Sequence, residues 1–112
     1  MQYVVLIYQN ESNDDDVDWT QLGKDYKEYA AAVVHAGVMR GGHQLQPSAA
    51  ATTVAVRDGD RLVTDGPLAE AREQLGGFFV LECADLDEAL EWAARCPGAS
   101  HGTVEVRPVK PT

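Results

Sequence analysis

The chain has 112 residues, a formal net charge of −9 and 45% apolar residues. This length predicts one domain, residues 1–112, that can bury a core without a metal ion or a disulfide. The acidic balance argues against nucleic-acid binding, which depends on Lys and Arg at the phosphates. Part of the acidity is the run Asp14–Asp16, which we interpret as a solvated loop because no metal-ligand spacing accompanies it.

The N-terminal residues predict a strand and lack the basic region and cleavage site of a secretory signal peptide. No apolar run reaches the roughly 18 residues of a membrane span. We therefore expect a soluble cytoplasmic protein with no membrane partner. Cys83 and Cys96 have neither zinc-site nor redox spacing, so we expect both to be reduced and to act as small apolar core residues.

The first predicted strand is Gln2–Tyr8. Both of its alternating residue sets are apolar, so we expect both of its faces to be covered. Asp18 and Gln21 have the spacing of a capping box and predict the start of a helix, and Gly37 predicts its end. Lys27 and the other charged residues of this helix lie mostly opposite the apolar stripe. That stripe comprises Leu22, Tyr26, Tyr29, Ala30, Val33 and Val34.

A weaker strand is predicted over Val38–Leu45, where Gly41-Gly42 indicates a bulge or a close backbone approach. A β-hairpin follows, with strands Thr52–Arg57 and Asp60–Thr64. The two residues Asp58-Gly59 between them are typical of a turn that requires positive φ. With a loop of this length, residues of opposite charge lie opposite each other in the hairpin, and apolar residues lie opposite apolar residues.

The segment between the hairpin and the next strand is dense in polar groups. It turns at Asp65-Gly66-Pro67, continues through Leu68–Gln74, and returns through Leu75–Gly77 into a strand over Phe78–Cys83. The turn and the glycine pair should hold this segment at both ends, and Leu68 and Leu75 should anchor it to the core. We therefore predict a fixed segment whose polar side chains converge on a cavity.

A second helix begins at Asp85, which is a good capping residue with acidic residues in the first turn. Pro97-Gly98 ends the helix, and Thr103–Val109 is the last strand. The predicted buried stripe of the helix comprises Leu86, Ala89, Leu90 and Ala93.

These elements predict an α+β fold, a ferredoxin-like antiparallel sheet with two helices on one face and an inserted β-hairpin. Two helices cover only one face of such a sheet, yet Gln2–Tyr8 and Phe78–Leu81 are apolar on both sides. We therefore expect a homodimer in which a second copy of the sheet covers the other face.

Residues Thr64–Phe79, TDGPLAEAREQLGGFF, resemble the signature of the DGPF proteins of the YCII-related superfamily, whose pattern runs roughly DGPFAETKEQLGG. Leu68 replaces the Phe of that pattern, Ala71 its Thr and Arg72 its Lys. Further resemblance covers most of the chain, in LQP at Leu45–Pro47, DLDEA at Asp85–Ala89 and EVRP at Glu105–Pro108. The resemblance implies a dimeric α/β barrel made of two ferredoxin-like sheets packed face to face.

The resemblance implies less about activity. Some relatives resemble lyases or dehydrochlorinases that use a His on the first helix and an Asp on or near the second strand. Here the first helix carries a histidine only at its end, His35, and the second strand has no Asp, so the pair does not carry over. Family members also resemble products of loci that encode extracytoplasmic-function sigma factors, which implies a possible regulatory role.

His43, beside the glycine pair, and Asp65, at the turn, are the candidate catalytic residues. Each also has a structural reading, as a surface histidine and as an ordinary turn residue. The candidate substrate-binding residues are Tyr8, Arg40, Glu70, Arg72 and Glu73. The structural alternative is a core-edge residue for Tyr8 and an edge-strand cation for Arg40. For Glu70, Arg72 and Glu73 it is a solvated charge run. No nucleotide, serine-hydrolase or zinc motif occurs, so we expect neither cofactor nor metal.

Two hypotheses follow. The first is a cofactor-independent isomerase or lyase for a small organic molecule, with a pocket between the sheet and Asp65–Gly77. His43 and Asp65 would transfer protons there and Arg72 would orient an anion. The second is a non-catalytic dimeric module that binds a ligand or a regulatory protein. An enclosed pocket in which His43 meets a carboxylate would favour the enzyme.

Overall fold

The computed structural model describes residues 1–11 and 17–112, so the acidic run Asp14–Asp16 lies outside the described residues. The strands are β1 (Gln2–Gln9), β2 (Met39–Gln44), β3 (Thr52–Arg57), β4 (Asp60–Asp65), β5 (Gln74–Glu82) and β6 (Thr103–Pro108). The helices are α1 (Trp19–His35), α2 (Leu86–Arg95) and the short α3 (Gly98–His101), and a 3-10 turn spans Ser48–Ala50.

Four strands form one antiparallel sheet in the order β2-β5-β1-β6, and β3 and β4 form a separate two-stranded sheet. The fold is therefore α+β, and this strand order is compatible with the predicted ferredoxin-like arrangement. The hairpin lies between β2 and β5 in the chain, as predicted. The short helix α3 was not predicted.

The core lies between the two long helices and one face of the four-stranded sheet. Val5, Val33 and Leu81 are fully buried there, and each of them removes enough apolar surface from water to contribute about 1.5–3 kcal/mol. Cys83 and Cys96 are buried and unpaired, as predicted. The other members of this core are Tyr3, Ile7, Tyr29, Ala89 and Ala93. Because α1 and α2 both contribute to it, both helices cover the same face.

The predicted boundary signals of α1 are present. The carboxylate of Asp18 accepts a hydrogen bond of 3.1 Å from the backbone N–H of Gln21. The Gln21 side chain donates instead to Asp25 at 2.8 Å, so the capping box is only half formed. Gly37 has φ of 75° and donates to the Val34 carbonyl at 3.0 Å, which is the left-handed helix end that glycine favours.

The predicted hairpin turn is confirmed. Asp58 and Gly59 both have positive φ, 52° and 83°, as a two-residue turn between right-twisted strands requires. Arg57 lies opposite Asp60 in the resulting register.

One predicted strand boundary and several predicted burial positions are wrong. The pair Gly76-Gly77 lies inside β5 instead of forming a turn before it, because β5 pairs with the full length of β1. Leu68 is 90% exposed, so it does not anchor the segment to the described core. Val34 is exposed at the last turn of α1, and Leu86 and Leu90 are about half exposed. The alanines of α2 bring that helix close to the sheet, which leaves its leucines at the edge of the contact.

The second face of the sheet carries apolar residues that no described helix covers. It presents Val4, Leu6, Tyr8, Phe78 and Val80, all only partly buried. The molecule is 18 Å thick in its shortest dimension, which corresponds to one layer of helices on one sheet. Its radius of gyration is 15.8 Å, compared with roughly 13 Å for a compact domain of this length.

No helix in the described ranges is both long and apolar enough to cross a membrane.

Candidate functional site

A cavity of about 560 Å³ lies between the first half of α1 and the sheet. This volume is within the range of small-molecule sites, roughly 300–1,000 Å³. The helix side is formed by Trp19, Leu22, Gly23, Tyr26, Lys27 and Ala30. The sheet side is formed by Ile7, Gln9, Gly42, His43, Gln44, Gly76, Gly77, Phe78 and Phe79.

Small residues on both sides explain the space. Gly23 and Ala30 are seven residues apart and therefore lie on one stripe of α1. A Cβ atom added at Gly23 would meet no heavy atom within 4 Å, so the helix leaves open volume there. The sheet contributes Gly42 and Gly77, which have no side chain to fill the cavity from below.

The glycines on the sheet side are also needed because the backbones of β2 and β5 lie close together there. A Cβ atom at Gly42 would lie 2.7 Å from the Phe78 carbonyl oxygen, and one at Gly77 would lie 2.9 Å from the His43 carbonyl oxygen. The predicted close backbone approach is therefore confirmed, and the neighbour is β5. The predicted bulge is also present, since the pairing of β2 with β5 shifts between Met39 and Gly41.

Besides its aromatic residues, the cavity is lined by three polar residues, Gln9, Lys27 and Gln44. The Gln9 side chain lies against Gly76, because a Cβ atom at Gly76 would come within 2.7 Å of Gln9 Nε2. Gly76 therefore leaves the room that the Gln9 amide occupies. Among the described residues that line the cavity, Lys27 is the only Lys or Arg and none is Asp or Glu.

The aromatic residues behind the cavity are held in fixed positions. The Phe79 ring packs edge to face on Tyr29, with the ring centroids 5.4 Å apart, and the Tyr29 hydroxyl donates to the Trp92 carbonyl at 2.9 Å. Tyr26 packs towards Cys96, and burial is the main cause that raises the pKa of both side chains. The part of the wall formed by Tyr26 and Phe79 therefore packs against the core.

His43 borders this cavity, but its ring lies elsewhere. His43 is directly opposite Phe78 in the sheet, and the two rings meet edge to face with their centroids 6.0 Å apart. Phe78 is opposite Leu6 on the uncovered face, and directly opposed residues share a face. The imidazole therefore lies on the uncovered face, and the main chain of His43 borders the cavity.

Asp65 lies at the base of the hairpin. It is the last residue of β4, opposite Thr52, and is exposed. The turn after it is fixed by the backbone, since Gly66 has φ of 106° and donates to the Ala51 carbonyl at 2.7 Å. The Thr53 hydroxyl donates to the Gly66 carbonyl at 2.7 Å. Asp65 is not among the residues that line the cavity under α1.

Glu70 and Arg72 line a second, more open cavity of about 370 Å³. The Glu11 carboxylate lies on its wall, where it accepts hydrogen bonds from the Ser48 backbone N–H and hydroxyl, 2.8 Å and 2.5 Å long. Gln74 donates from its side chain to the Ala69 and Ala71 carbonyls at 2.9 Å and 3.0 Å. These bonds organise the segment that carries Glu70 and Arg72. Glu73 is half-buried and does not line this cavity.

The last two predicted residues lie away from both cavities. Tyr8 is half-buried at the end of β1, on the uncovered face. Arg40 is the extra residue of the β2 bulge, and its guanidinium donates to the Gly37 and Met39 carbonyls at 2.9 Å and 3.0 Å. The structure therefore does not bring the seven predicted site residues together at one site.

The sequence interpretation missed Gln9, Lys27 and Gln44 as cavity residues. Lys27 was assigned to the polar face of α1, although it lies four residues from Gly23 and three from Ala30. No local signal distinguishes Lys27 from an ordinary solvated helix cation, because the cavity forms only where α1 packs over the sheet. Among residues 1–11 and 17–112, no cluster of His, Cys, Asp or Glu could hold a metal ion.

The model of the YCII-related domain matches residues 1–112. An uncharacterized protein of Rhizobium meliloti (strain 1021) is 38% identical over 118 residues, which span 97% of this chain and 92% of that protein. The chain therefore belongs to the YCII-related family, as the DGPF-like motif predicts. That relative is described only as uncharacterized, so its name supplies no substrate.

Proposed function

We propose that this YCII-related protein is a homodimeric binding module for a small organic molecule, and that the cavity under α1 is its binding site. The observation that carries the proposal is the cavity itself, with its volume of about 560 Å³ and its mixture of apolar walls and few polar groups. Ligand sites are typically concave, mostly apolar, and lined by a small number of placed polar side chains. Gln9, Lys27 and Gln44 are such groups.

The positions of His43 and Asp65 favour binding over proton transfer by that predicted pair. A general acid or base needs to lie within hydrogen-bond reach of the substrate, and the described residues lining this cavity include no carboxylate. The His43 ring packs on Phe78 and Asp65 ends the hairpin strand. The assignment of His43 and Asp65 as an acid–base pair in an isomerase or lyase stays a prediction.

The homodimer is supported by the uncovered face of the sheet. Val4, Leu6, Phe78 and Val80 present a continuous apolar strip there, and such strips on soluble proteins typically mark interaction surfaces. A second copy packed face to face would bury the strip and complete an α/β barrel. The hairpin adds to the surface available for a partner, because Val54, Val56, Leu62 and Val63 are each at least half exposed.

The binding site is tested by filling the cavity from α1. Gly23→Leu places a side chain in the open volume, whereas Gly23→Ala adds one methyl group and serves as the matched control. A thermal-shift screen of small organic acids and amides should identify compounds that stabilise the wild-type protein. These compounds should still stabilise Gly23→Ala and lose most of their effect on Gly23→Leu. Equal stabilisation of all three proteins would contradict the proposed site.

A further inference from the structure

The cavity under α1 differs electrostatically from the rest of the chain. The protein has 18 Asp and Glu residues against 9 Lys and Arg, and its overall field therefore repels anions. None of the described residues lining the cavity is acidic, and one of them is Lys27. Among residues 1–11 and 17–112, the lining of the cavity therefore carries one cation and no carboxylate, which favours an anion over a cation as its ligand.

The apolar walls define the other part of the ligand. The apolar lining residues include Leu22 on α1, Phe79 on β5 and Ile7 on β1, so the helix side and the sheet side both contribute apolar wall. The Phe79 ring is held by its edge-to-face contact with Tyr29, so it offers a fixed apolar surface. A flat or compact ring fits between a fixed aromatic wall and an aliphatic one.

Lys27 is exposed and lines the cavity, so we place its ammonium group at the mouth. The amides of Gln9 and Gln44 can donate hydrogen bonds to an oxygen atom from the sheet side. We infer that the ligand is a small organic anion, a carboxylate on an aromatic or aliphatic ring. Its ring would lie against Phe79 and Leu22, and its charged end would lie towards Lys27. This inference rests on the proposed function, since it concerns the same cavity.

The test compares matched probes that differ only in charge. Benzoate, phenylacetate and naphthoate are titrated by calorimetry against the corresponding uncharged amides, with the wild-type protein and three variants. Lys27→Gln removes the cation at an exposed position. Lys24→Gln removes an exposed cation of the same helix that does not line the cavity, and Arg72→Gln removes the cation of the second cavity.

The carboxylates should bind more tightly than the amides. Lys27→Gln should weaken carboxylate binding by about fivefold, the effect of one partly exposed ion pair, and leave amide binding unchanged. The Lys24→Gln and Arg72→Gln variants should behave as wild type. Equal binding of carboxylates and amides, with both lost in Gly23→Leu, would overturn the anion inference and leave the binding site standing. Loss of carboxylate binding in Arg72→Gln, or no binding of any probe, would overturn the inference and the proposed site together.

Discussion

Replacing Gly23 by alanine should stabilise the protein, although Gly23 lies on the wall of the proposed binding site. Gly23 is the fifth residue of α1, which spans Trp19–His35, and glycine inside a helix costs about 0.5–1 kcal/mol relative to alanine. No heavy atom lies within 4 Å of the added Cβ atom, so no steric cost offsets this gain. For a domain of this size we expect the melting temperature to rise by about 2–4 °C.

The matched control is the same substitution at Gly98. Its Cβ atom would lie 2.6 Å from Ile7 Cγ2 and 2.6 Å from the Tyr26 hydroxyl oxygen. Both neighbours belong to the packed interior, so Gly98→Ala should destabilise the protein by about 1–3 kcal/mol, the usual cost of overpacking. Calorimetry at one fixed protein concentration measures both changes. A decrease in stability for Gly23→Ala would refute the open volume that the cavity requires.

Four further outcomes follow from the glycine contacts, the uncovered face of the sheet and the buried Cys96 thiol. Gly76→Ala should change the free energy of unfolding little but weaken binding of the screened ligands, because it displaces the flexible Gln9 amide. Gly77→Ala should destabilise the fold, since its Cβ atom would lie 2.9 Å from a backbone oxygen of β2. Denaturant unfolding of Gly76→Ala and Gly77→Ala should therefore show a loss of stability only for Gly77→Ala. Leu6→Glu on the uncovered face should convert the proposed homodimer to a folded monomer, measured by light scattering, and a variant that remains dimeric would argue against this interface. Burial raises the pKa of the Cys96 thiol, so the thiol stays protonated to a higher pH in the folded state than in the unfolded state. The free energy of unfolding should therefore fall as the pH rises above about 8.5. Unfolding midpoints that stay constant from neutral to alkaline pH would contradict this.

The parts of the fold that were predicted depend on local geometry. Gly37 ends α1 because a left-handed residue is needed there, and Asp58-Gly59 forms the turn because both positions need positive φ. The carboxylate of Asp18 reaches a backbone N–H three residues away. These requirements can be recognised in a few consecutive residues, and so can the DGPF-like motif that identifies the family.

The candidate site was less predictable because it depends on which elements meet. The dense polar residues of Leu68–Gln74 predict one pocket. Glu70 and Arg72 of this segment instead line the second, more open cavity, which α1 does not border. Lys27 has the same local pattern as any solvated helix cation, and only the packing of α1 over the sheet brings it to the cavity under α1. His43 was selected for its neighbouring glycines, whose actual role is to let β5 approach.

The most direct test of the binding site is a titration of the isotope-labelled protein with naphthoate, followed through the backbone amide resonances. Ligand in the cavity under α1 should shift the amides of Gly23 and Lys27 together with those of Gln44 and Gly77, which line its two sides. The amides of Asp65 and Arg72 should remain unchanged. Shifts confined to the segment from Asp65 to Arg72, or the absence of any saturable shift, would contradict a ligand site under α1.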